Sequence, residues 1–181
     1  MRDCINFGTN NSNKINHRRI IRIMGSLYKK DIMDRPYVVG MDMGGTNTVF
    51  GIVDTRGNVI TKSAVKTAAH SDILLYVEEL YKELMSLIDN VGGISKIRGI
   101  GVGAPNGNYY TGNIEYAPNL PWKGVVPFAK ILGEKFEMPT VLTNDANAAA
   151  YGEMTYGVAR GMKKFYNDNS RYWSGKRYNY R

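Results

Sequence analysis

The run Asp42-Met43-Gly44-Gly45-Thr46 constrains this chain more than any other feature, because β-prone runs flank it on both sides. Pro36-Tyr37-Val38-Val39-Gly40-Met41 reads as a short strand before it, and Val49-Phe50-Gly51-Ile52-Val53 as a returning strand after it. Glycine lets backbone N–H groups approach an anion, since no Cβ intervenes and φ can be positive. A strand, a Gly-Gly turn and a returning strand thus form a phosphate-binding hairpin, to which Thr46 and Asn47 add side-chain donors. Asp42 falls at the mouth of the turn, where its carboxylate can hold Mg2+ through water. Gly-Gly also joins many hairpins that bind nothing, and this run alone does not separate the two readings.

Three further segments bear on the choice. Val141 to Glu153 reads as a buried strand ending in Asn144-Asp145, then an alanine-rich helix through Tyr151-Gly152-Glu153. A carboxylate at the carboxyl end of a strand, where a helix begins, is a usual active-site position in open α/β sheets. Asn144 or Asp145 can equally serve only to cap that helix. Upstream, Ile100-Gly101-Val102-Gly103-Ala104-Pro105 ends another strand in a Gly/Pro loop, and Ala117-Pro118-Asn119-Leu120-Pro121-Trp122 forms a rigid turn.

In this order the motifs resemble the ROK family (repressors, open reading frames and kinases), most closely its glucokinase-type sugar kinases. Asp42 to Thr46 resembles the family's first phosphate loop. Gly101 to Pro105 and Ala117 to Leu120 resemble its sugar-side segments, and Asn144-Asp145 with Tyr151-Gly152-Glu153 its catalytic segment. The likeness runs from about Pro36 to about Lys164. It implies an α/β, actin-like ATPase (ribonuclease H-like) fold, of which the chain holds the N-terminal lobe and the start of the second lobe. The implied boundaries are a polar, basic extension over 1–35, the N-terminal lobe over 36–143, the second lobe's start over 144–164 and an aberrant tail over 165–181.

The implied activity is ATP-dependent phosphorylation of a hexose, with glucose the expected substrate. A sugar hydroxyl is a poor nucleophile, so an aspartate must accept its proton as it attacks the γ-phosphate, and Asp145 is the candidate. Asn119, Asn144 and Glu153, with Gly103, are the expected sugar-side residues. Asp42, Gly44, Gly45, Thr46 and Asn47 are expected at ATP and Mg2+. The family usually carries glycine after the proline of the sugar loop, whereas this chain has Asn106 and then Gly107. The family's His/Cys zinc segment and second phosphate loop are expected beyond Lys164 and are not found there. A sugar-responsive repressor and a non-catalytic sugar-binding remnant are the alternative functions.

The tail changes character abruptly. From Gly161 to Arg181 there is no Ile, Leu, Val or Ala, while Tyr, Trp and basic residues crowd in. Read one base later with suitable synonymous codons, Tyr166–Tyr180 can spell an apolar strand, a glycine-rich loop and a second strand. Trp173 has a single codon, which forces a glycine in the shifted frame. The expectation is a one-base frameshift near Phe165 that truncates a sugar-kinase reading frame and leaves the chain inactive.

Charge is consistent with that division. The formal charge is +8, yet residues 36–159 carry nine Lys/Arg against twelve Asp/Glu. Residues 1–35 carry eight against three and residues 160–181 seven against one, so the basic character belongs to the flanks. Nucleic acid is therefore not an expected partner. About 35 residues cannot supply a winged helix, although Arg18–Leu27 has the pattern of a short amphipathic helix; Met33 is the expected start. No secretory leader, membrane span or repeat is evident, which fits a cytoplasmic enzyme with a hexose and ATP as partners. The family is often homo-oligomeric, through contacts expected outside this chain. Cys4 is the lone cysteine, and His17 and His70 read as isolated surface residues.

Elsewhere Gly57-Asn58 predicts a hairpin turn, Ser71-Asp72 the start of a helix running to about Asn90, and Gly92-Gly93 its stop. Ile73, Leu74, Val77, Leu80, Leu84, Leu87 and Ile88 form its expected core stripe. Asn108–Tyr116 is an expected exposed hairpin carrying Tyr109-Tyr110, and Val125–Phe136 an expected helix with Glu134 and Lys135 facing solvent. A base-accurate DNA read from codon 155 onward should show the glycine-rich loop in the shifted frame. Its absence from that frame would remove the frameshift.

Overall fold

Alternating apolar residues along Tyr37–Met43 (β1) and Thr48–Asp54 (β2) put Val39, Met41 and Met43, with Phe50 and Ile52, on one buried face. The two strands pair antiparallel from Tyr37 opposite Asp54 to Met43 opposite Thr48. Val59–Val65 (β3) continues the meander after a turn in which Gly57 has φ +89°. The Asp54 carboxylate closes that turn, accepting from the Arg56 and Asn58 amides and the Asn58 side chain at 2.8–2.9 Å. Gly57-Asn58 is thus the expected hairpin turn. The computed structural model describes residues 33–157, and Pro36 begins a unit separate from Met1–Arg35. Cys4, His17, the expected Arg18–Leu27 helix and the tail over 165–181 lie outside the described residues.

Asp72 starts helix α1 (Ile73–Asp89), its carboxylate accepting from the Leu74 amide at 2.7 Å. Gly92 and Gly93, at φ +100° and +87°, end the segment as predicted. The buried stripe is Tyr76, Val77, Leu80, Leu84 and Ile88. Leu74 is exposed, a departure from the expected stripe: the helical phase set by Val77, Leu80 and Leu84 turns position 76 inward and position 74 out. The chain then enters β4 (Ile97–Ala104), parallel to β1, and later β8 (Thr140–Asn144), parallel to β4. The resulting mixed sheet has the order β3-β2-β1-β4-β8.

A smaller sheet joins β5 (Gly107–Asn108), β6 (Asn113–Glu115) and β7 (Val125–Val126). The Asn108–Tyr116 hairpin is present, with Tyr109 and Tyr110 exposed edge-to-face at 5.8 Å. Helix α2 begins only at Phe128 and runs to Phe136. Val125 and Val126, expected within it, pair with β6 instead. Two β-branched residues before Pro127 explain the change, because a residue preceding proline is disfavoured in helical geometry. Glu134 is exposed as expected, but Lys135 bridges to Glu78 of α1 at 2.5 Å and lies over the Tyr81 ring.

α1 and α2 supply the buried side chains that meet one face of the large sheet, among them Leu80, Leu84, Phe128 and Leu132 against Ile52, Ile100 and Leu142. Each such side chain contributes about 1.5–3 kcal/mol by leaving water. Within β8 only Leu142 is buried. Val141, expected inside, is 57% exposed because it points to the face opposite Leu142, away from the core. Helix α3 (Asp145–Thr155) follows directly and has no buried residue.

Two threonines lie wholly inside this core beside the buried Tyr76. Thr48 Oγ1 is 2.8 Å from Thr67 Oγ1 and accepts from the Tyr76 hydroxyl at 2.7 Å, so neither threonine is left unsatisfied. Burial, with the Glu79 carboxylate nearby, pushes the Tyr76 phenol up to about 12 from its ordinary 10. A group that ionises at lower pH in the unfolded chain than in the folded one stabilises the fold fully below pH 10 and loses that stabilisation as pH rises towards 12. Stability should therefore fall by about 2–3 kcal/mol across that window through Tyr76. Urea unfolding at pH 9.5 and 11.5 should show a shallower loss in Tyr76→Phe than in the parent.

Candidate functional site

The carboxyl ends of three adjacent parallel strands gather most of the candidate residues. Asp42 on β1 is the register partner of Gly103 on β4, Gly103 of Thr143 on β8, and Ala104 of Asn144. Asp42 thus stands two strands, or about 10 Å, from the Asn144-Asp145 corner. Gly103 lies under the first turn of α3, where an added Cβ would meet the Ala148 methyl at 3.1 Å and the Asp145 backbone at 3.4 Å. A larger residue there would lift the corner that carries Asp145.

The turn between β1 and β2 closes through the Gly44 amide, which donates to the Asn47 carbonyl at 2.9 Å. Gly44 therefore supplies space and not a free donor, since a Cβ would sit 2.9 Å from that carbonyl. Among the described residues, the amides of Gly45, Thr46 and Asn47 have no hydrogen-bond partner. Three consecutive open amides in one turn are donors that an anion can accept from. Neither glycine has positive φ, contrary to the conformational reason advanced for them. Gly45 is required by a close approach: a Cβ would come within 2.5 Å of the Asn119 carbonyl. This contact seats the Gly44–Asn47 turn against Ala117–Trp122, a segment tied down by Lys123, whose ammonium donates to the Pro118 and Leu120 carbonyls.

Asp42 lies within β1, one residue further inside the strand than the turn mouth, yet its side chain is exposed and has no partner among the described residues. Asn144 caps α3, its Oδ1 accepting from the Ala146 amide at 3.0 Å, and Asp145 Oδ1 accepts from the same amide at 2.7 Å. The capping role is thus real for both residues. It leaves the Asn144 amino group and the second Asp145 oxygen for a ligand. Glu153 is not brought to this corner: it lies about 12 Å further along α3, and its carboxylate folds against Gly157. His70 is not isolated either, since its ring bonds to Glu79 of α1.

Asn106 resolves the departure at the sugar loop. It adopts φ +52°, the left-handed conformation glycine would occupy, and its Nδ2 donates to the Glu115 and Tyr116 carbonyls at 3.1 and 3.3 Å. Asparagine enters this region more readily than other side chains. Gly107 is needed separately, because a Cβ there would lie 2.4 Å from the Thr143 carbonyl. Asn106→Ala should lower stability to urea by about 1–2 kcal/mol, and Asn106→Gly by less, since glycine keeps the conformation and loses only the two bonds.

Residues 38–166 match the ROK family model. A glucokinase from Halalkalibacterium halodurans is 34% identical over 132 residues, which cover 72% of this chain and 39% of that protein. A xylose repressor from Caldicellulosiruptor bescii is 30% identical over 128 residues, or 66% of this chain and 30% of the repressor. The crystal structure of a ROK family glucokinase from Streptomyces griseus in complex with glucose and AMPPNP superposes with TM-score 0.58 at 27% identity, covering 69% of this chain and 38% of that one. The chain spans 38–40% of the length of the curated glucokinases it matches. The mixed sheet is accordingly the N-terminal part of an actin-like ATPase fold, and the chain belongs to the ROK family.

Proposed function

We propose that this chain supplies the N-terminal side of the active site of an ATP-dependent hexose kinase, with glucose as the acceptor and the cytoplasm as the place of action. The observation that carries the reading is the alignment of Asp42, Gly103 and Asn144-Asp145 along one edge of β1, β4 and β8, beside the open amides of Gly45 to Asn47. Asp145 accepts the proton of the attacking sugar hydroxyl. The open amides hold phosphate oxygens of ATP, where charge develops during transfer. Asn119 and the free Nδ2 of Asn144 bind sugar hydroxyls. Gly103 lets α3 lie close on β4 and so sets the position of the Asp145 corner, and Glu153 is assigned to the sugar on resemblance alone.

A Mg2+ ion fits this arrangement. Asp42 is an exposed, unpartnered carboxylate next to an anion-binding turn, and Mg2+ is commonly held by one carboxylate together with water and phosphate. When bound it neutralises phosphate charge. Among the described residues no cluster of three or more His, Cys, Asp or Glu could hold a metal without the nucleotide. The 181 residues by themselves form one side of a cleft and fall short of turnover, because phosphoryl transfer needs water excluded from the other side as well.

A graft tests the reading. Residues 38–157 should replace the matching stretch of the Halalkalibacterium halodurans glucokinase and support ATP-dependent glucose phosphorylation. In that graft Asp145→Asn should lower kcat by about 10²–10⁴-fold with the KM for glucose little changed. A folded graft with no kinase activity, or an Asp145→Asn variant with full activity, would sink the proposal. Because a repressor matches over a similar share of the chain, sequence-specific DNA binding by the full chain is the outcome that would favour regulation.

A further inference from the structure

We infer that Tyr76 is a positioning residue that holds the phosphate turn and the Asn119 turn in register, through its hydroxyl on one side and its ring on the other. The inference deepens the kinase reading of this site, and one of its readouts does not depend on that reading. Tyr76 lies on α1, away from both turns in sequence, and its side chain is fully buried. Its hydroxyl donates to Thr48 Oγ1 at 2.7 Å, and Thr48 is the residue that follows the open amides. Thr48 Oγ1 is in turn 2.8 Å from Thr67 Oγ1. The next residue, Ala68, donates its amide to the Thr46 carbonyl at 3.4 Å. The turn is therefore held from below at two points, at Thr48 by the Tyr76 and Thr67 hydroxyls and at Thr46 by the amide of Ala68, the residue after Thr67.

The other contact of Tyr76 is with the sugar-side turn. Its ring packs against Trp122 with centroids 4.7 Å apart, and Trp122 ends the segment whose Asn119 carbonyl abuts Gly45. Among the described residues the buried Trp122 indole nitrogen has no partner, and the indole is held there by packing. Loss of the Tyr76 hydroxyl should release the phosphate turn alone, because the ring and its stack on Trp122 remain. The same chemistry gives Thr48→Val, which keeps the shape and removes the acceptor, an equivalent effect.

Amide hydrogen exchange on the full 181-residue chain tests the strut directly. In Tyr76→Phe and in Thr48→Val, the Gly44 and Ala68 amides should exchange about tenfold faster than in the parent, beyond any change at the Ile100 amide. The Ile100 amide bonds to the Pro139 carbonyl and serves as the internal reference. Equal acceleration at all three amides, or none, overturns the inference. In the glucokinase graft, Tyr76→Phe should raise the KM for ATP about tenfold with the KM for glucose within about twofold. Parallel changes in both constants overturn the coupling to the phosphate turn. A graft that is inactive with Tyr76 intact counts against the kinase reading, and the exchange experiment then judges the strut by itself.

Discussion

The parallel register of β1, β4 and β8 is the constraint on which the site depends. Backbone hydrogen bonds between Asp42's strand and Gly103's, and between Gly103's and Asn144's, bring three residues far apart in sequence to one edge without any side-chain contact between them. A one-residue slip in either pairing would reverse which side chains face the core, and the buried set Val39, Met41, Ile100, Val102 and Leu142 forbids it. The same apolar faces that stabilise the sheet thus set the spacing between a carboxylate beside the Gly44–Asn47 turn and a carboxylate at a helix start. Packing and chemistry here share one cause.

Glycine plays a different part at each place where the site needs it. At Gly45 and Gly107 the demand is a backbone carbonyl too close for a Cβ, and at Gly103 it is a helix lying on the strand. At position 106 the demand is a left-handed backbone, and an asparagine meets it with two side-chain hydrogen bonds in compensation. The distinction matters for substitution, because a left-handed position can be filled by another residue at modest cost whereas a carbonyl at 2.4–2.5 Å cannot be moved aside like a side chain.

Local signals were enough for the elements nearest the site. The alternation through Tyr37–Met43 and Thr48–Asp54, the Asp72 cap and the Gly92-Gly93 stop are all properties of neighbouring residues, and each element lies within a residue or two of its expected bounds. What was not legible depends on partners distant in sequence. Tyr76 meets Thr48 across 28 positions, and only the assembled sheet shows that a tyrosine in an apolar stripe ends on a threonine beside the Gly44–Asn47 turn. Val125 and Val126 look helical beside Phe128 and Leu132 until β6 is there to pair with them. The distance of Glu153 from Asp145 follows from helix geometry, which a motif read as a string does not convey.

The corner at Asn106-Gly107 has a bearing on how the molecule ages. An asparagine followed by glycine is chemically fragile in a mobile chain, because the next backbone nitrogen can attack the side-chain carbonyl and expel ammonia. Here the nitrogen that would leave is bonded to the Glu115 and Tyr116 carbonyls, and the following glycine is pressed against Thr143. The durability of this covalent bond therefore follows the integrity of the small β5-β6-β7 sheet: while the hairpin is closed the amide is held in place, and each opening exposes it to slow, irreversible loss.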